Sequence, residues 1–284
     1  MLDAQGDNIK IQNISIDGNR RNNVVTRLVP LIRIIGHNNL LDGVYAVDTL
    51  GLSAIDVADD PTCTGSQVTN NFIGYNGIHV TTDLASLPWA DGLDFRCSNA
   101  RVAGNQIMDA TDGGIDFFGG TNTIIESNTI TNSGASAYGG LIADPVDDVD
   151  SAGHPLSTPL DFSNSILRNN KIEASNGQHL HVAIAVGTHL WCDDATNNGN
   201  CAYGTGVTFQ DNQGTGLYGY GIFIGGMDNT TVLGNNLVMT PWPLVACYLA
   251  GEDYYILENA TGTFQSGWVS RTPMHWPCIG PEGQ

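Results

Sequence analysis

The sequence predicts an all-β fold in which short strands coil into a continuous stack, and three observations carry that prediction. A phrase centred on asparagine recurs nine times along the chain. The segments between these asparagines alternate apolar and polar residues, with Gly and Asn at their ends, as half-buried strands do. No segment carries the ten-residue apolar stripe of an amphipathic helix.

The asparagine phrases run "KIQNISI", "IGHNNLL", "VTNNFIG", "VAGNQIM", "IESNTIT", "LRNNKIE", "FQDNQGT", "LGNNLVM" and "ILENATG", centred on Asn13, Asn39, Asn71, Asn105, Asn128, Asn170, Asn212, Asn236 and Asn259. Asn105 and Asn128 are 23 residues apart, as are Asn236 and Asn259, so a unit of this length repeats. The wider intervals read as the unit plus an inserted loop. A unit this short cannot bury an apolar face alone, so successive units must stack into one core. Identical amides stacked one strand spacing apart, about 4.8 Å, form a hydrogen-bonded ladder.

Between asparagines comes a second strand: a small residue, an aliphatic one, then alternation, as in "SAIDVA", "DGLDFR", "GGIDFF", "GGLIAD", "VAIAVG" and "YGIFIG". The coils are expected over about residues 8–260 of a single domain spanning 1–284. Loop insertions fall at about 142–162 and 187–206. The tail "TPMHWPCIGPEGQ" departs from the pattern, so about 261–284 is expected to cover the open edge of the last coil. Nothing before Asn13 reads as a cap, which predicts missing upstream sequence.

This pattern resembles the right-handed parallel β-helix of the pectin-lyase-like superfamily, from residue 8 to about 260. The resemblance implies a single-stranded solenoid of about nine coils with an asparagine ladder.

Composition narrows the function. Ten basic residues against 29 acidic ones give a formal charge of −19, and Lys10 and Lys171 are the only lysines. That balance argues against nucleic acid, whose binding rests on Lys and Arg meeting phosphates, and against anionic membranes. It disfavours a polyanionic substrate unless a metal ion stands between, and so points to a neutral or weakly charged glycan. Solubility or adaptation to salt explains the acidity equally well. No apolar run approaches the length of a membrane span. Six cysteines suit an oxidising compartment. Cys192 and Cys201 flank a polar stretch and are the first expected pair. Cys247 with Cys278 and Cys63 with Cys97 are further options, and buried thiols are the alternative. Residues 1–10 lack the apolar core of a signal peptide, so a secreted or cell-surface protein would have its leader absent from this chain.

In a parallel stack, equivalent positions sit above one another. With Ile55, Leu93, Ile115, Leu141, Ile184, Ile222 and Val245 as one inward row, the next residues point outward: Asp56, Asp94, Asp116, Ile142, Ala185, Phe223 and Ala246. The following outward row holds Ala58, Arg96, Phe118, Asp144, Gly187, Gly225 and Tyr248. Asp112, Tyr138 and His181, four residues before the first outward row, belong near the same face. Three stacked carboxylates cannot all ionise without a large penalty, because each like charge raises its neighbour's pKa. The row therefore needs a shared proton, a cation such as Arg96, or a metal.

Three readings stay open: acids splayed into water; a Ca²⁺ site, since hard cations take several carboxylate oxygens; and a general acid/base pair for glycoside hydrolysis. Asp94 with Asp116, on neighbouring coils, suits a retaining separation. Asp94 with Asp144 approaches an inverting one.

Two families of this skeleton bear on the choice. In pectate lyases the calcium acids sit in an Asp-Gly-x-aliphatic-Asp phrase beside an Asp of the preceding coil. Asp112, Gly113, Ile115 and Asp116 resemble that phrase, and Asp94 lies one coil before. The resemblance implies Asp94, Asp112 and Asp116 as Ca²⁺ ligands, with Asp56 in the same row. The family's Arg-rich phrase is absent apart from Arg168, leaving His181 or Tyr138 as the base of an elimination. Polygalacturonases carry Asn-Thr-Asp-Gly, then Asp-Asp, Gly-His-Gly and Arg-Ile-Lys. Asp91 and Asp112 stand where the first two motifs place acids, but Ala90 and Gly113 replace neighbours, and the later motifs are missing.

His179 and His181 form an H-x-H on one strand, with His189 beyond. That spacing suits zinc or the polar wall of a groove. The insertion bearing His154 and the one bearing Trp191 and Tyr203 would wall a groove over the acids, because solenoid loops commonly build the binding face. Trp191 and Tyr203, with Phe118, would then stack on sugar rings; alternatively they pack the loop bases. These features together predict an extracellular enzyme cleaving glycosidic bonds, by hydrolysis with paired Asp or by Ca²⁺-assisted β-elimination. The rival is a non-catalytic glycan-binding solenoid of the adhesin or tailspike kind.

Overall fold

The computed structural model of the chain describes residues 1–22, 29–57, 62–77, 89–145, 160–187, 202–241, 255–266 and 269–270. Its strands pair parallel with those one coil away and form three faces. Face one contains Leu2–Gln5, Ile32–Ile35, Ser53–Val57, Asp91–Phe95, Gly113–Phe117, Ala137–Ala143 and His179–Val186. Face two contains Lys10–Gln12, Leu40–Asp42, Gln67–Thr69, Arg101–Ala103, Ile124–Glu126, Leu160–Arg168 and Gly204–Gln210. Face three contains Ser15–Asp17, Tyr45–Val47, Phe72–Gly74, Gln106–Met108, Thr129–Asn132 and Lys171–Ala174, and Asn236–Pro241 joins it later. The 21-residue strand Gln213–Leu233 passes through all three faces in turn. The architecture is a right-handed parallel β-helix. Strands extend past the expected coil range at both ends, because Leu2–Gln5 already pairs with Ile32–Ile35 and pairing continues to Ser270.

Inward side chains stack in rows. Ile32, Ile55, Leu93, Ile115, Leu141, Ile184 and Ile222 line face one, and Leu41, Val68, Val102, Ile125, Leu167, Phe209 and Val232 line face two; all are essentially buried. Each such side chain contributes about 1.5–3 kcal/mol of burial. No short coil holds enough of them to fold alone, and the stack supplies the rest.

The corners explain the asparagines. At the turn between faces two and three, Asn71, Asn105, Asn128, Asn170, Asn212 and Asn235 stack, each donating its Nδ2 to the next Oδ1 at 2.8–2.9 Å or 3.0 Å. Gln265 takes the next place, accepting from Asn235. The residue before each ladder position is left-handed: Asn70, Gly104, Ser127, Asn169, Asp211 and Gly234 all have positive φ. The recurring phrase therefore encodes a left-handed residue followed by a ladder residue, since Asn and Gly tolerate that conformation.

This corrects four expected ladder members. Asn13 is the left-handed residue, with φ 54°, and Ile14 follows it. Asn236 is one residue past the ladder and begins a face-three strand. Asn259 lies inside the strand Tyr255–Phe264. Asn39 stands at the other corner, between faces one and two, where its row is a hydroxyl series: Asn39 N–H donates to Ser66 Oγ, Ala100 N–H to Thr123 Oγ1 and Thr123 N–H to Ser165 Oγ. Cys63 and Cys97 form a disulfide joining adjacent coils near this corner. Cys192, Cys201, Cys247 and Cys278 lie outside the described residues.

Candidate functional site

Face one stacks as expected: Asp56, Asp94, Asp116, Ile142, Ala185 and Phe223 are in register, one per coil. The row begins earlier than predicted. Asp3 pairs with Arg33, and Arg33 with Asp56, so the row's cation is Arg33, whose Nε lies 3.3 Å from Asp56 Oδ2. Arg96 stands in the adjacent outward row with Phe118 and Asp144, at the C-terminal ends of the strands. The row's cation was legible in "LIRII", where Ile32–Arg33 aligns with Ile55–Asp56.

Strict alternation fails one step before each inward aliphatic residue. A Cβ on Gly92 would meet Ile107, one on Gly114 would meet Ile130, and one on Gly140 would meet Ile172, all core residues of face three. These positions therefore face inward beside Leu93, Ile115 and Leu141, and the residue before each faces out. Along face one the pattern is out, in, in, out. Ser53 and Asp56, Asp91 and Asp94, Gly113 and Asp116, and Gly139 and Ile142 each share one outward patch.

That departure brings Asp91 into the site. One carboxyl oxygen from each of Asp91, Asp94 and Asp116 lies within 4.8 Å of the other two, and all three residues are buried. Asp91 Oδ1 accepts the Gly113 N–H at 2.6 Å. The carboxyls of Asp94 and Asp116 flank that of Asp91 within 4.8 Å. Oδ1 of Asp94 and Oδ1 of Asp116 are buried with no hydrogen-bond partner among the described residues.

Burial first, then the neighbouring acids, sets the protonation. Burial pushes Asp91 up to about 6, although the Gly113 N–H and the two carboxyls oppose this. Asp94 is raised well above the ordinary carboxylate range by burial, then by Asp91 and Asp56. Asp116 is raised by burial, then by Asp91, Asp94, Asp112 and Asp144. Burial and mutual repulsion keep the three from all being ionised together, so within the cluster a carboxylate stands against protonated acid, with Asp91 the least raised of the set.

Beside this cluster runs a second column. The Gly113–Gly139 and Gly139–Val182 pairings place Asp112, Tyr138 and His181 in line. Burial, then Asp91 and Asp144, raises Asp112. Burial, then Asp112 and Asp144, raises the Tyr138 hydroxyl. The Tyr138 and His181 rings are 5.5 Å apart, as are His179 and His181. His179 Nδ1 is 3.0 Å from Ser136 Oγ. The expected metal set of Asp56, Asp94, Asp112 and Asp116 is thus rearranged: Asp91 joins Asp94 and Asp116, Asp56 pairs with Arg33, and Asp112 belongs to the tyrosine–histidine column. Tyr203 is at the start of a face-two strand, where its carbonyl accepts the Leu160 N–H. Trp191, His154, His189, Ala58, Val245, Ala246 and Tyr248 lie outside the described residues.

No protein-family model matches this chain, and no curated protein matches its sequence. Two solved structures are similar to it. The Dettilon tailspike protein aligns at 15% identity and a TM-score of 0.43, over 74% of this chain and 43% of that one. DFA-IIIase from Arthrobacter chlorophenolicus A6, without its lid, aligns at 11% identity and a TM-score of 0.36, over 95% of this chain and 68% of that one. This chain thus spans less than half the length of the first.

Proposed function

We propose that face one of this right-handed parallel β-helix is the active site of an enzyme that hydrolyses glycosidic bonds in a neutral or weakly charged glycan. The observation that carries this reading is the buried trio Asp91, Asp94 and Asp116, which holds a carboxylate against protonated acids. Glycoside hydrolysis needs those two states side by side.

A protonated Asp94 or Asp116 gives its proton to the glycosidic oxygen as the bond from that oxygen to the anomeric carbon breaks. The Asp91 carboxylate attacks the same carbon, and the resulting ester is released by a water that returns the proton to the acid. Carboxyl oxygens this close suit such a double displacement, which uses groups about 5–5.5 Å apart. Asp144, across the face, is the partner an inverting route would use. Tyr138, His179 and His181 extend the polar wall along which the sugar lies, with Phe118 and Arg96 on the opposite edge.

A second reading is favoured by the two unpartnered buried oxygens on Asp94 and Asp116. With Asp91 they form a hard, all-oxygen donor set that fits Ca²⁺. A bound ion would neutralise the cluster and acidify the proton α to a uronate carboxyl, with His181 of the neighbouring column as base, since burial keeps the Tyr138 hydroxyl protonated. The disulfide Cys63–Cys97 supports placing the protein in an oxidising compartment, at the cell surface or outside it.

Incubation with a panel of neutral and uronic polysaccharides, with and without a calcium chelator, separates the readings. Hydrolysis predicts new reducing ends without ultraviolet absorbance, undiminished by the chelator. Unsaturated, absorbing products lost on chelation would establish elimination instead. A protein that retains glycan but releases no product from any polymer would be a binding solenoid.

A further inference from the structure

Asp116 does not simply extend outward from its strand. A Cβ placed on Gly113 would fall onto Asp116 Oδ1, Oδ2 and Cγ. The carboxylate of residue 116 therefore occupies the volume that a side chain at 113 would fill. The same arrangement occurs one coil on without any acid: a Cβ on Gly139 would meet Cδ1 and Cγ1 of Ile142. One coil earlier both outward positions carry side chains, Asp91 and Asp94, and there the two carboxyls lie within 4.8 Å of each other. Outward residues three apart on face one thus compete for one space, and glycine at the first lets the second fold back.

We propose that Gly113 is a positioning residue for the site: by leaving its outward space empty it delivers the Asp116 carboxyl against Asp91, completing the three-carboxyl cluster from position i+3. This assignment rests on the proposed hydrolytic site for its catalytic meaning, but the geometry it claims is separately measurable. The backbone at Gly113 lies outside the left-handed region, so alanine or aspartate there is not strained by φ. The hydrogen bond from the Gly113 N–H to Asp91 needs no glycine either. What substitution removes is the space.

The test uses Gly113→Ala, Asp116→Gly and the exchange variant Gly113→Asp/Asp116→Gly in the full chain. Carbon-13 carboxyl NMR of aspartate-labelled protein follows the titrations. In Gly113→Ala the Asp116 carboxyl should titrate nearer the ordinary carboxylate range, and Asp91, losing the Asp116 carboxyl that favours its ionised form, should titrate higher than in the wild type. On a cleaved glycan, kcat should fall on the order of 100-fold with KM held, as for a displaced reacting group. The exchange variant should restore a third high-titrating carboxyl and most of kcat, whereas Asp116→Gly alone should not. Wild-type titrations in Gly113→Ala, or an exchange variant indistinguishable from Asp116→Gly, would overturn the assignment. If Gly113→Ala does not fold, the comparison of the other two decides. If no glycan is cleaved by the wild type, the hydrolytic reading fails, and the titrations alone still judge the role of Gly113.

Discussion

Asp94 and Asp116 each keep a buried oxygen without a hydrogen-bond partner among the described residues, and burial keeps both protonated to a higher pH than in the unfolded chain. Such groups weaken the fold at neutral pH, and sites of chemistry are where that penalty is commonly found. Asp116→Asn keeps the shape and removes the titratable proton. We expect turnover to fall by about 10²–10⁴-fold, the usual contribution of a positioned acid or base. Its melting temperature at pH 7.5 should stay level or rise by a few degrees, read by calorimetry. A clear fall in melting temperature would mean that the carboxyl is structural. At this scale the sequence carried the row Asp56, Asp94 and Asp116 but placed Asp91 only by its likeness to a polygalacturonase motif. Simple alternation turns a residue three before an outward one into the core. Only the small residues at Ala54, Gly92, Gly114, Gly140 and Ala183 signal the doubled inward step, and they do so once the isoleucines of face three are known to press against them.

A coil element is held at its corner more than along its strands. Asn128 accepts from the N–H and Nδ2 of Asn105, and donates to Asn170 Oδ1 and the Val102 carbonyl. Asn128→Ala strands these buried groups together, so a loss of about 3 kcal/mol is expected in denaturant unfolding, within the range for unmet buried polar groups. Asn13→Ala, at a left-handed turn outside the ladder, should cost clearly less. Equal effects would contradict the reassignment of the phrase. The ladder was visible in the sequence as nine asparagines, yet its register was not. Two corners share the device of a left-handed residue before a buried one, so "HNNL" and "TNNF" look alike although Asn39 and Asn71 serve different corners.

Across the whole molecule, opposing sets of carboxyls shape the dependence of stability on pH. Glu126 on face two bridges Arg101 and Arg168 at 2.9 and 2.8 Å, and hydrogen bonds from these arginines hold it below the usual range. Its contribution is present above the ordinary glutamate pKa and is lost as pH falls through the lowered one. The face-one acids act in reverse. Their folded pKa values are raised, so the folded state binds protons more tightly. Stability is fullest below pH 4 for these groups and declines as pH rises through about 6, where Asp91 titrates, and beyond. Asp91 alone corresponds to a decline on the order of 3 kcal/mol. Melting temperature should therefore be highest in mildly acidic buffer and fall from pH 5 to pH 8. A profile flat over that interval would count against buried, coupled acids, and Ca²⁺ raising the melting point mainly at the alkaline end would favour the cation reading.

The sequence by itself determined the coil: period, alternation and buried asparagines leave little freedom, because each unit is stable only when the next repeats its pattern. It also determined that acids of successive coils would share a face. Tertiary structure decided which acids meet. Whether a side chain points out, and whether space exists for it to turn, depends on what neighbouring coils and faces press against it, and those contacts join residues far apart along the chain. Arg33 under Asp56, and Asp116 folded over an empty Gly113, are set by that packing.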